Sequence, residues 1–380
     1  MRILLITPYF YPHIGGSQQY AEELYFHLMK QDSSVNVDVL CYSTDSVKSI
    51  EKYRGFTIYR IPCLELLPGQ FALPNYGALI KLLFRLRKKH KYTWVNAHTR
   101  FFESTWWTPL AAKLLGAQSL LTDHCAYHPA HTSFVVTKIA TVLDKILSPF
   151  FARFYTQVTV TNKTTQKFLQ TLGIHNTRLV YGGVDTKVFT PKNQKTRKIL
   201  QIKKSFSQDE IIVSFIGRMI ASKGPLLLLE AATKLIKRYP QLTVVFAGNG
   251  PLYKKLQGFS SERILFLGSL GKKDVASLLS QTDIFVHPSR HHEGFPNAVL
   301  EAGSAECTVI ATKKGTMEII QHDKTGLFVE PTVKSLYRAI ERALTDVSLR
   351  RKLGEALRKE LCEKFDWRII AKGYKTILQV

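Results

Sequence analysis

The stretch IIVSFIGRMIASKG, residues 211–224, decides the fold. Ile211–Ile216 is an apolar run rich in β-branched side chains, the composition of a strand buried on both faces. A loop bounded by Gly217 and Gly224 follows. Pro225–Tyr239 then carries a helical pattern opened by a proline, which suits a first helical turn. Leu242–Ala247 is a second apolar run. Strand, loop, helix and strand make a βαβ unit, and such units build parallel sheets with helices on both faces.

Outward from this unit the alternation continues almost from end to end. Strand candidates upstream are Ile3–Ile6, Val35–Leu40, Thr93–Ala97, Ser119–Thr122, Gln157–Thr161 and Thr177–Val180. Downstream they are Ile264–Leu267, Ile284–His287, Thr308–Ala311 and Gly326–Val329. Helical stretches include Ser17–Lys30, Thr105–Leu115 and Asp274–Gln281, and the tail from Val333 is nearly all helix. The pattern breaks near Tyr181–Ser205, where Gly182-Gly183 and Pro191 lead into a polar, basic run without apolar periodicity. The expected architecture is α/β, with two doubly wound, Rossmann-like domains: residues 1–190, residues 191–365, and a last helix over 366–380. Open parallel sheets bind ligands at the carboxyl ends of their strands, so two facing sheets would enclose a cleft.

The 380 residues are 45% hydrophobic and 22% charged, an ordinary globular balance that excludes a disordered, collagenous or coiled-coil chain. The formal charge is +24, with an excess of ten basic residues in 1–190 and fourteen beyond. A charge of this size implies an anionic partner: nucleic acid, anionic lipid or a phosphorylated ligand. Cys41, Cys63, Cys125, Cys307 and Cys362 are odd in number and form no C-x-x-C pair, which speaks against a disulfide scaffold or zinc ribbon. The apolar start, Ile3 to Thr7, is too short for a signal peptide, and no run of about 18 apolar residues is present. A cytoplasmic protein is expected.

Five loops following strands carry the chemistry. Pro12–Ser17 holds Gly15 and Gly16, which open a helix; paired glycines let backbone N–H groups approach an anion, or simply make a tight turn. Gly217–Gly224 holds Arg218 and Lys223, five residues apart and able to clamp a pyrophosphate from two sides; otherwise they are solvated charges. Gly248-Asn249-Gly250-Pro251 is a turn signature at a strand end. His291–Glu301 is the most informative: Gly294, Phe295, Pro296 and Asn297 form the entrance of a helix able to hold a phosphate or sugar oxygen. Glu293 lies just outside it, and Glu301 lies one to two turns in. The sequence around Glu301 is apolar, where an ionised carboxylate needs a ligand or partner. Last, His124 closes Leu121–Cys125; it suits bonding or proton transfer to a sugar, or a structural role.

Taken in order, these pieces resemble the family 4 glycosyltransferases, retaining enzymes of the two-domain GT-B architecture that use nucleotide sugars. The resemblance spans Gly15-Gly16, His124, Gly183-Val184-Asp185 with Phe189, Gly217-Arg218 with Lys223-Gly224, Gly248–Pro251, and Pro288-Ser289 through Glu293–Pro296 to Glu301-Ala302. It implies that Arg218 and Lys223 neutralise the donor diphosphate and that Glu301 holds the ribose hydroxyls. Glu293 and the 294–297 backbone would hold the sugar, Gly16 would contact the diphosphate or acceptor, and His124 would line the reactive face. Gly217 and Asn249 complete the donor loops. It further implies a metal-free reaction without a cofactor, the nucleotide sugar being a substrate, and a last helix that returns to the first domain. No Asp-x-Asp motif occurs, and two basic side chains can take the place of a metal ion at a leaving group.

The acceptor is less legible. Leu79–Lys91 is an amphipathic helix carrying Lys81, Arg85, Arg87, Lys88 and Lys89, of the kind that lies on an anionic bilayer. Phe134–Tyr155 is apolar but broken by Lys138, Asp144, Lys145 and Pro149, so it either dips into an interface without spanning or, the reading favoured here, is a core-facing helix with a basic outer side. With the overall charge, these favour a lipid-linked or glycan acceptor at the inner membrane face, reached by peripheral attachment. A soluble acceptor such as a sugar phosphate is the alternative within the family. Nucleic-acid binding lacks a recognition helix, zinc site or aromatic RNA-binding strand.

Overall fold

The computed structural model describes residues 1–13, 15–43, 49–67, 71–129, 134–191, 209–291 and 294–379. The chain divides into two compact units, residues 1–182 with 367–380, and residues 183–366. The division falls at Gly182-Gly183 rather than at residue 190. Val184 forms a bridge with Asp366, its N–H donates to Phe365 O at 2.8 Å, and Phe189 is buried, which ties this segment to the second unit.

The first unit holds β1 (Arg2–Ile6), α1 (Gly16–Gln31), β2 (Asn36–Ser43), β3 (Ile50–Tyr53), β4 (Phe56–Leu67), β5 (Phe71–Pro74), α2 (Tyr76–Lys89), β6 (Trp94–His98), α3 (Ser104–Leu115), β7 (Gln118–Asp123), α4 (Phe134–Ala152), β8 (Gln157–Val160), α5 (Lys163–Thr171) and β9 (Thr177–Leu179). Its sheet runs β3-β4-β2-β1-β6-β7-β8-β9, with β5 paired to β4. From β4 through β9 the neighbours are parallel.

Strands β3 to β5 add an antiparallel edge that the apolar runs do not announce. The β3–β4 hairpin turns on Arg54-Gly55, both at positive φ (47° and 90°), the geometry of a two-residue turn whose twist suits the flanking strands. Arg54 bonds Glu23 at 2.8 Å, also pairs with Glu22, and lies 3.9 Å over the Phe26 ring, pinning the hairpin to α1.

The second unit holds β10 (Ile211–Ile216), α6 (Pro225–Arg238), β11 (Leu242–Ala247), α7 (Tyr253–Gln257), β12 (Ile264–Phe266), α8 (Lys272–Leu279), β13 (Ile284–His287), α9 (Asn297–Ser304), β14 (Thr308–Ala311), β15 (Leu327–Phe328), α10 (Val333–Thr345) and α11 (Val347–Lys364). Its sheet order is β12-β11-β10-β13-β14-β15, all parallel. The last helix, α12 (Trp367–Leu378), packs on α1 in the first unit: Trp367, Ile370, Ala371 and Tyr374 share a core with Tyr20, Leu24 and Leu28.

Candidate active site

In the second unit, the loops after β10, β11 and β13 meet because those strands are neighbours in register, Ile216 beside Ala247 and Ser214 beside Phe285. Backbone bonds stitch the loops together. Gly217 N–H donates to Ala247 O at 3.0 Å, Met219 N–H to Asn249 O at 2.8 Å, and Arg290 N–H to Ser222 O at 2.7 Å. Two glycines make this approach possible. A Cβ on Gly248 (φ 127°) would sit 1.9 Å from Gly217 O, and one on Gly224 (φ 72°) 2.3 Å from Pro288 O. The loop bearing Arg218 and Lys223 is therefore held by its backbone on both sides. The Arg218 side chain is exposed and Lys223 is half-buried.

Helix α9 starts at Asn297, with Pro296 as its cap in extended backbone rather than in its first turn. Gly294, Phe295 and Asn297 are half-buried at this entrance, and the Phe295 ring lies 5.6 Å from Phe365. Glu301 is one turn in and half-buried, between the fully buried Leu300 and Ala302. Arg218, Lys223, Asn249 and the 294–301 segment thus share one end of one sheet. Glu293 lies outside the described residues.

In the first unit, Gly16 begins α1 and His124 follows β7, with β6 between β1 and β7. Tyr20, one turn beyond Gly16, packs edge-to-face on the His124 ring with centroids 4.8 Å apart and donates its hydroxyl to Val180 O at 3.2 Å. A Cβ at Gly16 would meet no protein atom within 4 Å, so the space there is open.

Behind His124 runs a buried hydrogen-bonded chain whose polarity can be worked out. Asn96 donates Nδ2 to Leu120 O at 3.0 Å and to Ala97 O and Thr122 Oγ1, each at 3.2 Å. Its Oδ1 therefore faces His98 Nε2 at 2.6 Å and the Tyr25 hydroxyl at 3.0 Å. An amide oxygen only accepts, so His98 Nε2 carries the hydrogen. Burial, then the neighbouring His124, holds His98 well below the usual imidazole range, so the ring is neutral and its Nδ1 accepts. His124 Nε2, 2.9 Å from that Nδ1, must donate. Burial holds His124 down to about 3. His124 is thus a neutral Nε2–H imidazole whose other nitrogen, Nδ1, is an acceptor.

Sequence reasoning passed over Asn96, His98 and Arg100. The available signal was three polar residues at alternate positions, running off the end of the apolar β6. Arg100 is the hub of a second buried cluster. Its Nη1 donates to Asp123 Oδ2 at 2.5 Å and Cys125 O at 2.7 Å, and its Nη2 to Tyr127 O at 2.8 Å. Nε and Nη2 grip both oxygens of Asp144 at 3.0 Å. All five guanidinium N–H groups are used. Ser148 Oγ and His128 Nδ1 complete the shell of Asp144 at 2.5 and 2.6 Å.

This cluster corrects the expectation for Phe134–Tyr155. The only buried side chains of α4 are Asp144 and Ser148, so the helix turns its polar face inward and its apolar face out. The cause is Arg100, which needs a carboxylate at that position. Helix α2 instead buries Leu79, Leu82, Leu83 and Leu86 and exposes Lys81, Arg85, Arg87, Lys88 and Lys89. Among the described residues no helix is long and apolar enough to cross a membrane.

Residues 14–188 match Glycosyltransferase Family 4, and residues 196–360 match Glycosyl transferases group 1. A phosphatidylinositol N-acetylglucosaminyltransferase subunit from Arabidopsis thaliana is 23% identical over 381 residues, covering 98% of this chain and 80% of that one. A Corynebacterium glutamicum protein, GDP-mannose-dependent monoacylated alpha-(1-6)-phosphatidylinositol monomannoside mannosyltransferase, is 24% identical over 399 residues, covering 100% of this chain and 98% of that one. Among solved structures, Anabaena HepE in complex with UDP and glucose superposes with a TM-score of 0.76 at 20% identity, over 100% of this chain and 99% of that one.

Proposed function

Because the chain belongs to glycosyltransferase family 4, we propose that it moves a hexose from a UDP- or GDP-linked sugar to a lipid-linked acceptor, keeping the anomeric configuration and using no metal. The carrying observation is the three-loop end of the second sheet, where Arg218 and Lys223 stand on one backbone-pinned loop. Two cations beside a diphosphate stabilise the charge that develops as it departs, the part a metal ion plays elsewhere. Glu301 accepts the ribose hydroxyls, with Gly217 and Asn249 shaping the base of the donor loops. The entrance of α9 at Gly294–Asn297 offers N–H groups to a phosphate or sugar oxygen. In the first unit Gly16 leaves room for the diphosphate or acceptor. His124 offers Nδ1 to a sugar hydroxyl as an acceptor rather than donating a proton. Two relatives whose names specify phosphatidylinositol-based acceptors support a lipid acceptor here.

The test is nucleoside-diphosphate release from a panel of UDP- and GDP-sugars, with and without anionic vesicles, in parallel reactions with EDTA and with added Mg²⁺. Release from one donor that rises with a lipid acceptor is expected. Release indifferent to lipid would move the reading to a soluble acceptor, and dependence on added metal would remove the role given to Arg218 and Lys223.

The neutral His124 has a pH signature. Its ring faces His98 and Tyr20 and keeps one charge state down to about pH 3. The turnover profile should therefore show no His124-dependent limb between about pH 5 and 8, where an ordinary imidazole titrates. A limb near 6.5 that disappears in His124→Gln would contradict the tautomer chain. His98→Phe removes the acceptor that fixes His124 and should reduce kcat about tenfold while leaving donor KM unchanged.

A further inference from the structure

We propose that the outward face of α4, with the aromatic surface continuous with it, is a docking surface for an anionic lipid bilayer. The proposal deepens the lipid-acceptor reading and rests on it for the choice of partner. At 3.6 residues per turn, Val135, Ile139, Val142 and Ile146 fall opposite Asp144 and Ser148. Ile139 and Val142 are each 56% exposed and Ile146 60%, values proper to surface polar residues. The orientation is enforced: the fully buried Arg100 grips Asp144 from beneath, so α4 cannot roll its apolar side into the core without stripping that charge.

The patch extends beyond the helix. At its C-terminal end Phe151 stacks on Trp106 of α3 at 6.0 Å, and Trp106 lies 6.5 Å from Phe71 of β5. Phe150 and Phe154 are exposed beside it, as is Leu110 on α3. A contiguous apolar surface of this kind is a contact surface.

Charge selects the occupant. Lys138 and Lys145 line one edge of the apolar strip and Arg153 follows its end, all exposed, while the one acid of α4, Asp144, is buried. Helix α2, packed against α3 in a common core, adds the five exposed cations from Lys81 to Lys89. An apolar strip bordered by cations and aromatics, with no exposed acid on the helix, suits the headgroup–acyl boundary of an anionic bilayer. Arg100 holds Cys125 O and Tyr127 O, just after His124, with the same guanidinium that seats α4 through Asp144, so the helix shares its anchor with the candidate acceptor side of the first unit.

The test compares the full chain with the triple variant Ile139→Glu, Val142→Glu, Ile146→Glu. The readout is co-sedimentation with vesicles of phosphatidylcholine and phosphatidylglycerol in equal parts, without any donor. The changes lie on an exposed face, so melting temperature and vesicle-free donor turnover should be unchanged. The sedimenting fraction should fall about tenfold or more. Equal vesicle binding by the variant overturns the proposal, as does a wild-type protein that does not sediment. A wild-type dimer that becomes monomeric in the variant assigns the face to a second copy and overturns it as well. Binding without transfer fails the acceptor reading alone; transfer to a soluble acceptor without binding fails both.

Discussion

Asp144→Ala is expected to cost the first unit about 3–5 kcal/mol, because removing one member of a buried pair leaves its partner charged and unsatisfied. For a unit of this size that is a fall of roughly 10 °C in melting temperature. The side chains of Arg100 and Asp144 are 1% and 0% exposed, so water cannot replace the lost bonds without opening the loop from Cys125 to Tyr127 and the seat of α4. Thermal unfolding of the first unit, followed by circular dichroism or calorimetry, reads the effect. A shift below about 2 °C would mean that Arg100 finds other partners.

The same cluster predicts a direction with pH. Burial alone would raise the Asp144 carboxyl, but the bonds and charge of Arg100, with Ser148 and His128, outweigh it and hold the group below its ordinary range. Its contribution is whole above the unfolded value of about 4 and is lost as pH falls through the folded one. His98 and His124, neutral in the fold, begin their own loss earlier, as pH drops below the unfolded imidazole value of about 6.5. The first unit should therefore weaken on acidification in two stages.

Arg218→Ala is the second large effect, of the opposite kind. The side chain is exposed and its loop is fixed by backbone bonds, so melting should not change. Turnover should fall by about a hundredfold or more, the scale for removing a charged donor from a leaving group. Arg218→Lys should recover only part of it, because an ammonium cannot reproduce the fork geometry of a guanidinium. Single-turnover kinetics with the preferred donor would show the loss, and an unchanged rate would place the diphosphate elsewhere.

These two effects mark what a sequence reader can and cannot see. Strands such as β10 and β11 are legible because parallel strands covered on both faces are continuous apolar runs. The Arg218 loop is legible because glycines bound it and it follows such a run. Strands β3 to β5 hide behind an Arg-Gly turn and a proline at position 62, signals that argue against strand continuity. The inverted α4 was the harder case. Its apolar face reads as a core face unless Asp144 is known to meet Arg100, 44 positions earlier in the chain. The His124 tautomer likewise depends on Asn96, His98 and Tyr25, and no local spacing joins them.

Helix α12 has a bearing on how the protein is made. It supplies the carbonyl of Leu378 that takes the Trp94 indole N–H at 2.9 Å, and the Tyr374 hydroxyl 2.9 Å from that of Tyr25. Residues 1–182 leave the ribosome first, yet their core lacks these partners until the whole second unit has been synthesised. The nascent first unit thus waits with an apolar groove along α1 open, a natural target for chaperones. Its closure reports that synthesis has passed through the second unit to α12.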